Sequence, residues 1–549
     1  MKKMVKLSLS LAIATAFVSS PNFAQSIITI KNVNIKDYTQ ETVSLIVISK
    51  EGVTDLNVSP LASTQLFGTT QAVNSDGVGY DLGRYFVVNT NTNNPYDVKE
   101  IIAQLESNPA IEKVFVKPVA ESVKGFGEQQ RNDANGNTQV TEADQVYLLD
   151  KINGGFFGIN AKQAWDIEGG RGDNVDIVSM ECGPYFYEHE DLTPSFTELD
   201  DPTHLFDRGW HDTMSVGIMT AKNNGYGVTG IAHNARQGWV DCESGHLIEL
   251  AHQLKKGSVI QIGVHIPYYT DEGTICEDGC YVPVIAFPWW RDSIRYATSK
   301  GIHVVMAAGN GHMNLDDPFF EGINEETGGI VVGASYRSGQ RAAFSNYGSI
   351  VQTFSLGEGV ATTYGGSENN EHGYTTTYSG TSSANPIVAA SVASLQGIAQ
   401  QNGIDLTPMQ MRQLIIDTGR EQVANRNDNI GVQPNIVAAA NAMLGPNFVP
   451  GGGELPEIPT AAGVTLYVDK NYSGHNLRTH RDMPDLFSFA DQISSVEVPV
   501  GWGVELYTEP NFGGTMRLIT YKSVPEMYSS FDDKIKSVRV KAPKTASTN

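Results

Sequence analysis

Gly380–Pro386 reads G-T-S-S-A-N-P and opens onto an apolar run that continues to Gln401. Gly380 permits a tight turn, and Ser382 would stand at the entrance of the helix that follows. Free backbone N–H groups and the helix dipole favour a developing negative charge there. Thr381 or Ser382 could equally be a helix cap. His211 lies in G-W-H-D-T-M-S-V-G, with the small residues Ser215 and Gly217 about one helical turn later. Glu181 follows the apolar stretch Val175–Met180, and a carboxylate at a strand end could orient a histidine. Asn310, in A-A-G-N-G, follows another apolar stretch, and its amide could donate to an oxyanion or make a turn. Each signal is weak singly; the chemistry that would use all four is attack by an alcohol assisted by a base.

Those residues need a frame. Val175–Met180, Gln237–Val240, Val259–Val264 and His303–Ala307 read as short strands, and Leu247–Lys255, Trp290–Ser299 and Pro386–Gln401 as helices. Such alternation predicts an α/β fold with a largely parallel sheet and helices on both faces, with its active site at the carboxyl ends of the strands. Ahead of it, Val43–Ser49, Tyr85–Asn89 and Glu112–Val119 read as strands and Pro95–Ser107 as a helix, a small α+β unit. The polar stretch 125–141 reads as an exposed, cleavable linker, and the Pro/Gly-rich stretch 445–463 as a second. In the tail, Tyr467–Gly474 (Y-V-D-K-N-Y-S-G) recurs as Tyr507–Gly514 (Y-T-E-P-N-F-G-G), a duplication that suggests two all-β Greek-key units.

The order acid, histidine, asparagine and serine, in these contexts, resembles the subtilisin family of serine peptidases over about Ala161–Gly419. Val228–Ala232 (V-T-G-I-A) and Phe344–Gly348 (F-S-N-Y-G) add to the likeness. The resemblance implies Ser382 as nucleophile, His211 as general base and later acid, and Glu181 where the family has aspartate. It implies Asn310 as oxyanion donor, and Gly263, Val264 and His265 as the substrate-binding segment where the family favours S-L-G. Glu181 is one methylene longer than aspartate, roughly 1.5 Å by bond lengths, so the backbone would retreat or the side chain fold back. Asp212 beside His211 should raise the imidazole's pKa if the two approach. His265 would narrow the specificity pocket or add a polar contact.

The same resemblance implies a structural calcium ion, held by Asp191, Asn224 and the carbonyls of Lys222, Tyr226 and Val228; calcium takes six to eight oxygens. The duplicated tail resembles βγ-crystallin domains, in which Ser494 would be a calcium ligand of the first copy, while Lys536 occupies that place in the second. The α+β unit resembles an inhibitory propeptide.

Composition narrows the class. The 549 residues hold 38 Lys+Arg against 61 Asp+Glu, a net charge of −23, which argues against nucleic acid and anionic membranes as partners. Lys2, Lys3 and Lys6 precede the apolar run Leu7–Val18, and Ala24 offers a cleavage point, which reads as a signal for secretion. The 4 cysteines, Cys182, Cys242, Cys276 and Cys280, suit disulfides, with three pairings open. The expected organisation is signal 1–24, α+β inhibitory propeptide 25–120, linker 121–142, peptidase domain 143–445, linker 446–463 and crystallin-like domain 464–541. The expected protein is a secreted, monomeric endopeptidase acting on proteins or peptides, made as a zymogen with its own propeptide as inhibitor. The rival reading is an inactive binding protein of the same fold whose tail holds a surface or glycan.

Overall fold

The computed structural model describes residues 42–541 except 54, 68–81, 119, 123–129, 132–139, 151–157, 198–209, 269–279, 318–319, 321, 366–371, 424–427, 446–463, 472, 480–485, 487–491, 499–502, 521, 528–530 and 532–533. The secretion signal, the second linker, Cys276 and the acidic starts of both tail boxes lie outside the described residues. The chain divides into two compact units, residues 1–66 with 84–117 and 269–275, and the remainder.

In the first unit, β1 (Ser44–Ser49), β2 (Ser63–Gln65), β3 (Tyr85–Asn89) and β4 (Ile111–Val116) form an antiparallel sheet in the order β2-β3-β1-β4. Helix α1 (Pro95–Glu106) starts with Pro at its first turn, and the Asn94 side chain accepts from the Tyr96 N–H. Its Val98, Ile102 and Leu105 share a buried cluster with Leu45, Val47 and Val114 of the sheet.

The second unit opens with two short strands, β5 (Glu121–Ser122) and β6 (Gln130–Arg131). Next come β7 (Asp176–Met180), α2 (Trp210–Thr220), β8 (Arg236–Val240), α3 (Ser244–Gln253), β9 (Val259–Ile262), β10 (Val264–Tyr268), β11 (Cys280–Val282), α4 (Pro288–Ser299) and β12 (His303–Ala307). After them run β13 (Ile330–Ser335), β14 (Thr353–Leu356), β15 (Val360–Thr363), β16 (Gly373–Tyr378), α5 (Thr381–Gln401), α6 (Pro408–Thr418), β17 (Arg420–Glu421), β18 (Val432–Gln433) and α7 (Ile436–Leu444). Eight strands pair in the order β17-β18-β14-β13-β12-β9-β7-β8, and every pairing but β17·β18 is parallel. β7, β9, β12, β13 and β14 are wholly buried, as near-continuous apolar strands of a two-faced parallel sheet should be. The expected α/β class holds.

Three local differences bear on the site. The expected strand Val259–Val264 breaks at Gly263: β9 belongs to the large sheet, and β10 leaves it to pair with β11 and β5. The expected helix from Pro386 starts earlier, at Thr381, with Pro386 inside it. Pro386 has no N–H to give the Ser382 carbonyl four residues back; the Tyr378 hydroxyl donates to that carbonyl instead, at 3.2 Å. Within the linker expected over 121–142, Glu121–Ser122 pair with β10 and Gln130–Arg131 with β16.

The parallel register Met180↔Val240 carries Cys182 and Cys242 side by side two residues beyond β7 and β8, and they form a disulfide. The duplicated tail forms two three-stranded sheets of one layout, β20-β19-β21 and β23-β22-β24. Their strands are β19 (Val464–Asp469), β20 (Ser473–Thr479), β21 (Ser495–Glu497), β22 (Gly503–Glu509), β23 (Gly513–Thr520) and β24 (Ser537–Lys541). Leu466 and Val496 from one copy share a core with Leu506 and Val538 from the other.

Candidate active site

Glu181 is the first residue past β7 and is fully buried. His211 is the second residue of α2 and is almost wholly buried. His211 Nδ1 lies 3.0 Å from Glu181 Oε2. The other carboxylate oxygen, Oε1, accepts from Ser215 Oγ at 3.2 Å and Gln261 Nε2 at 3.3 Å. Ser215 sits one helical turn after His211, so a single face of α2 delivers both the imidazole and a hydroxyl that steadies its carboxylate.

Asp212 does not act as expected. Its carboxylate turns to Ser179 Oγ on β7, and burial together with the neighbouring Glu181 carboxylate pushes its pKa well above the usual range. That rise favours the neutral acid, so Asp212 places little negative charge beside His211.

Ser382 is the second residue of α5 and is fully buried. Its hydroxyl lies 3.4 Å from the Ser379 carbonyl, which it donates to. The helix start is fastened by Asn385, whose Nδ2 donates to the Ile262 carbonyl at 2.7 Å. Asn310 follows β12, and its Oδ1 accepts from both Thr381 N and Thr381 Oγ1 at 2.9 Å. This leaves the Nδ2 group as its free donor end. Gly380 has φ +113°, and a Cβ there would stand 2.9 Å from Ser382 Oγ and 3.0 Å from Asn310 Nδ2. The alcohol and the amide thus border one small volume that any side chain at 380 would fill.

Sequence reasoning missed two residues here. Tyr378, fully buried at the end of β16, brings its hydroxyl within 3.2 Å of His211 Nε2, 3.2 Å of the Ser382 carbonyl and 3.0 Å of Ser215 Oγ. Its position four residues before Ser382 was the available signal. Asn346 donates to the Ala308 and Tyr281 carbonyls and accepts from Gly311 N and Met313 N, bracing the turn that carries Asn310.

Gly263 abuts Glu181, and Val264 and His265 pair antiparallel with Ser122 and Glu121. The His265 ring is buried and stacks on Tyr281, with centroids 3.8 Å apart and planes 8° apart.

The residues expected to hold calcium also converge. Asp191 Oδ1 accepts from Asn224 Nδ2 at 2.7 Å, and Oδ2 accepts from Val228 N at 3.1 Å and Tyr374 OH at 2.8 Å. Burial, with Glu190 nearby, pushes the Asp191 carboxyl up to about 6. Lys222 and Tyr226 lie in the same loop, which Gly225 and Gly227 turn with φ of +81° and +60°. A Cβ on Gly227 would fall 2.2 Å from Asp191 Oδ2. Ser494 is buried, its N–H donating to the Tyr467 carbonyl and its carbonyl accepting from Met527 N. Among the described residues no group of three or more His, Cys, Asp or Glu side chains could hold a metal, and no helix is long and apolar enough to cross a membrane.

Residues 180–433 match the model of the subtilase family, and residues 463–541 that of beta/gamma crystallin. A thermophilic serine proteinase of Bacillus sp. (strain AK1) is 28% identical over 277 residues, 49% of this chain and 60% of that protein. Thermitase of Thermoactinomyces vulgaris is 28% identical over 255 residues, 44% of this chain and 82% of that protein. The chain thus spans less than two thirds of the first relative's length. In fold it is similar to fervidolysin from Fervidobacterium pennivorans, a keratinolytic enzyme related to subtilisin, with TM-score 0.50, 15% identity, and coverage of 92% of this chain and 70% of that one.

Proposed function

From the premise that the chain belongs to the subtilase family through residues 180–433 and carries a beta/gamma crystallin domain over 463–541, we propose that it is a secreted serine endopeptidase with a Glu181–His211–Ser382 triad, made as a zymogen. One observation carries the reading: a buried carboxylate stands 3.0 Å from the imidazole, while a serine hydroxyl and an amide border the open side of Gly380.

In this mechanism Ser382 Oγ attacks the peptide carbonyl carbon as its proton passes to His211 Nε2. Glu181 holds Nδ1–H toward itself and stabilises the imidazolium. Asn310 Nδ2 and the Ser382 N–H donate to the oxyanion. The imidazolium then protonates the departing amine, leaving an ester on Ser382. Water adds to that ester with His211 again taking the proton, and the acid is released.

The substrate would lie as an extra strand on β10 at Gly263–His265, a common way to hold an extended peptide. Glu121–Ser122 already occupies that edge, and Ser382 is fully buried. This supports inhibition by the chain's own segment after the propeptide. The proposed division is signal 1–24, propeptide 25–120, linker 121–142, peptidase domain 143–445, linker 446–463 and crystallin-like domain 464–541. Proteins or peptides are the substrates, and the enzyme acts as a monomer.

A structural calcium ion is part of the proposal. The donor types suit calcium, since the Asp191 carboxylate, the Asn224 amide oxygen and the carbonyls of Lys222, Tyr226 and Val228 are hard ligands. The Asn224 amide, which here turns Nδ2 to Asp191 and accepts from Tyr226 N at Oδ1, would have to flip to ligate. A buried carboxyl with its pKa pushed up to about 6 is one that a cation would keep ionised. Because that carboxyl also accepts from three protein donors, the loop does not depend on the ion alone. Ser494 is retained as a weaker candidate ligand in the tail.

The deciding experiment expresses the full chain with and without Ser382→Ala. The parent should shed its N-terminal region and react with a fluorophosphonate, whereas the variant should accumulate as precursor and stay unlabelled. Maturation of purified Ser382→Ala at the parental rate would refute the mechanism, and an unreactive parent would favour the inactive binding protein.

A further inference from the structure

Glutamate in an orienting position needs room that aspartate would not. β7 and β9 run in parallel register with Met180 facing Ile262, so the residue after β9, Gly263, comes alongside Glu181. Its N–H donates to the Met180 carbonyl at 3.2 Å. A Cβ built on Gly263 would stand 1.7 Å from Glu181 Oε1, 2.4 Å from Glu181 Cδ and 2.5 Å from Gln261 Nε2. All three distances are far inside van der Waals contact.

Both neighbours are buried and held by other groups. Glu181 and Gln261 are fully buried, Glu181 is engaged at both oxygens, and Ser179 Oγ donates to Gln261 Oε1 at 2.8 Å. The backbone of Gly263 is outside the left-handed region, so its conformation does not call for glycine. Its volume does.

We infer that Gly263 is a positioning residue whose missing Cβ is the space into which the longer Glu181 side chain folds, so that residues 181 and 263 work as a coupled pair. This rests on the peptidase reading and adds to it a partner for the unusual acid. A methyl at 263 would push Oε1 aside and carry Oε2 away from the imidazole. The same methyl should be tolerated once residue 181 is one carbon shorter.

The test compares Gly263→Ala, Glu181→Asp and the double variant, each made as full chain and brought to maturity by a trace of parent enzyme. Labelling by a small fluorophosphonate is the readout, because it needs no peptide bound along β10. Gly263→Ala should slow labelling about 100-fold, the cost of a misplacement near 1 Å. Glu181→Asp alone should cost less than about tenfold, and the double variant should recover most of the loss caused by Gly263→Ala. Labelling of Gly263→Ala at the parental rate, or a double variant as slow as Gly263→Ala, would overturn the inference. If Gly263→Ala fails to fold, recovery of a cooperative thermal transition in the double variant supports the pairing and its absence overturns it. Failure of the peptidase reading looks different: the parent itself does not label, or label persists in Ser382→Ala.

Discussion

The Tyr378 hydroxyl meets His211 at Nε2, 3.2 Å away, on the nitrogen opposite the one that faces Glu181. Burial and the Glu181 charge push the phenol's pKa well above its usual value, so Tyr378 keeps its proton and can donate. With Nδ1 turned to the carboxylate, Nε2 is the nitrogen that would accept a proton. The hydroxyl has a single proton, shared between the Ser382 carbonyl and Nε2, so Tyr378 competes in part for the lone pair that Ser382 would use. Tyr378→Phe should speed fluorophosphonate labelling by roughly two- to tenfold, the worth of one neutral hydrogen bond. A slower variant would instead mean that the hydroxyl matters most as the partner of the Ser382 carbonyl.

Glu181→Gln keeps the shape but puts an amide against Nδ1, favouring the wrong tautomer. Turnover should fall on the order of 10⁴-fold, with peptide affinity little changed. Steady-state kinetics on a peptide substrate that returned the parental kcat would remove the carboxylate from the mechanism.

Asn310→Ala should reduce kcat by about 10²–10³-fold, the loss seen when such a donor is removed from a subtilisin. Thr381→Val gives a milder version: it removes the hydroxyl donating to Asn310 Oδ1 but leaves the backbone N–H. About a tenfold loss in kcat is expected, equivalent to one hydrogen bond. Equal kcat for Asn310→Ala and the parent would take that amide out of the oxyanion site.

The Asp191 carboxyl gives a pH signature. Its folded value of about 6 lies above the ordinary 3.8, so the fold binds this proton more tightly than the open chain does. Its contribution to stability is complete below about pH 4 and is lost as pH rises through about 6, by up to about 3 kcal/mol. In chelator, the parent's Tm should fall relative to that of Asp191→Asn across this interval. Calcium needs the ionised form and should reverse the difference near neutral pH. Identical calcium responses in the two proteins would exclude this loop as the site.

How far the site could be read in advance follows from what kind of signal each residue leaves. His303–Ala307 and Tyr85–Asn89 were legible to the residue because each is a compact apolar run between breakers. Glu181, His211, Asn310 and Ser382 were legible as candidates because each lies at a strand end or helix start with a local motif around it. The start of α5 was misread because Pro386 looks like a boundary; only the structure has Tyr378 donating to the carbonyl that the proline leaves unmet. The break in Val259–Val264 hid because Gly263 sits amid strand formers, while the group that crowds it, the Glu181 side chain, lies some eighty positions away in the sequence. Asp212 misled for a related reason: adjacency to His211 in sequence says nothing about Ser179, the group its carboxylate turns toward.

The Cys182–Cys242 bond fastens the residue directly after Glu181 to the segment following the neighbouring strand. Thiol reductants would therefore slacken the very backbone that aims the acid, with the rest of the sheet intact. Opening the disulfide would leave the Glu181 backbone tied to that strand by its own N–H on the Val240 carbonyl.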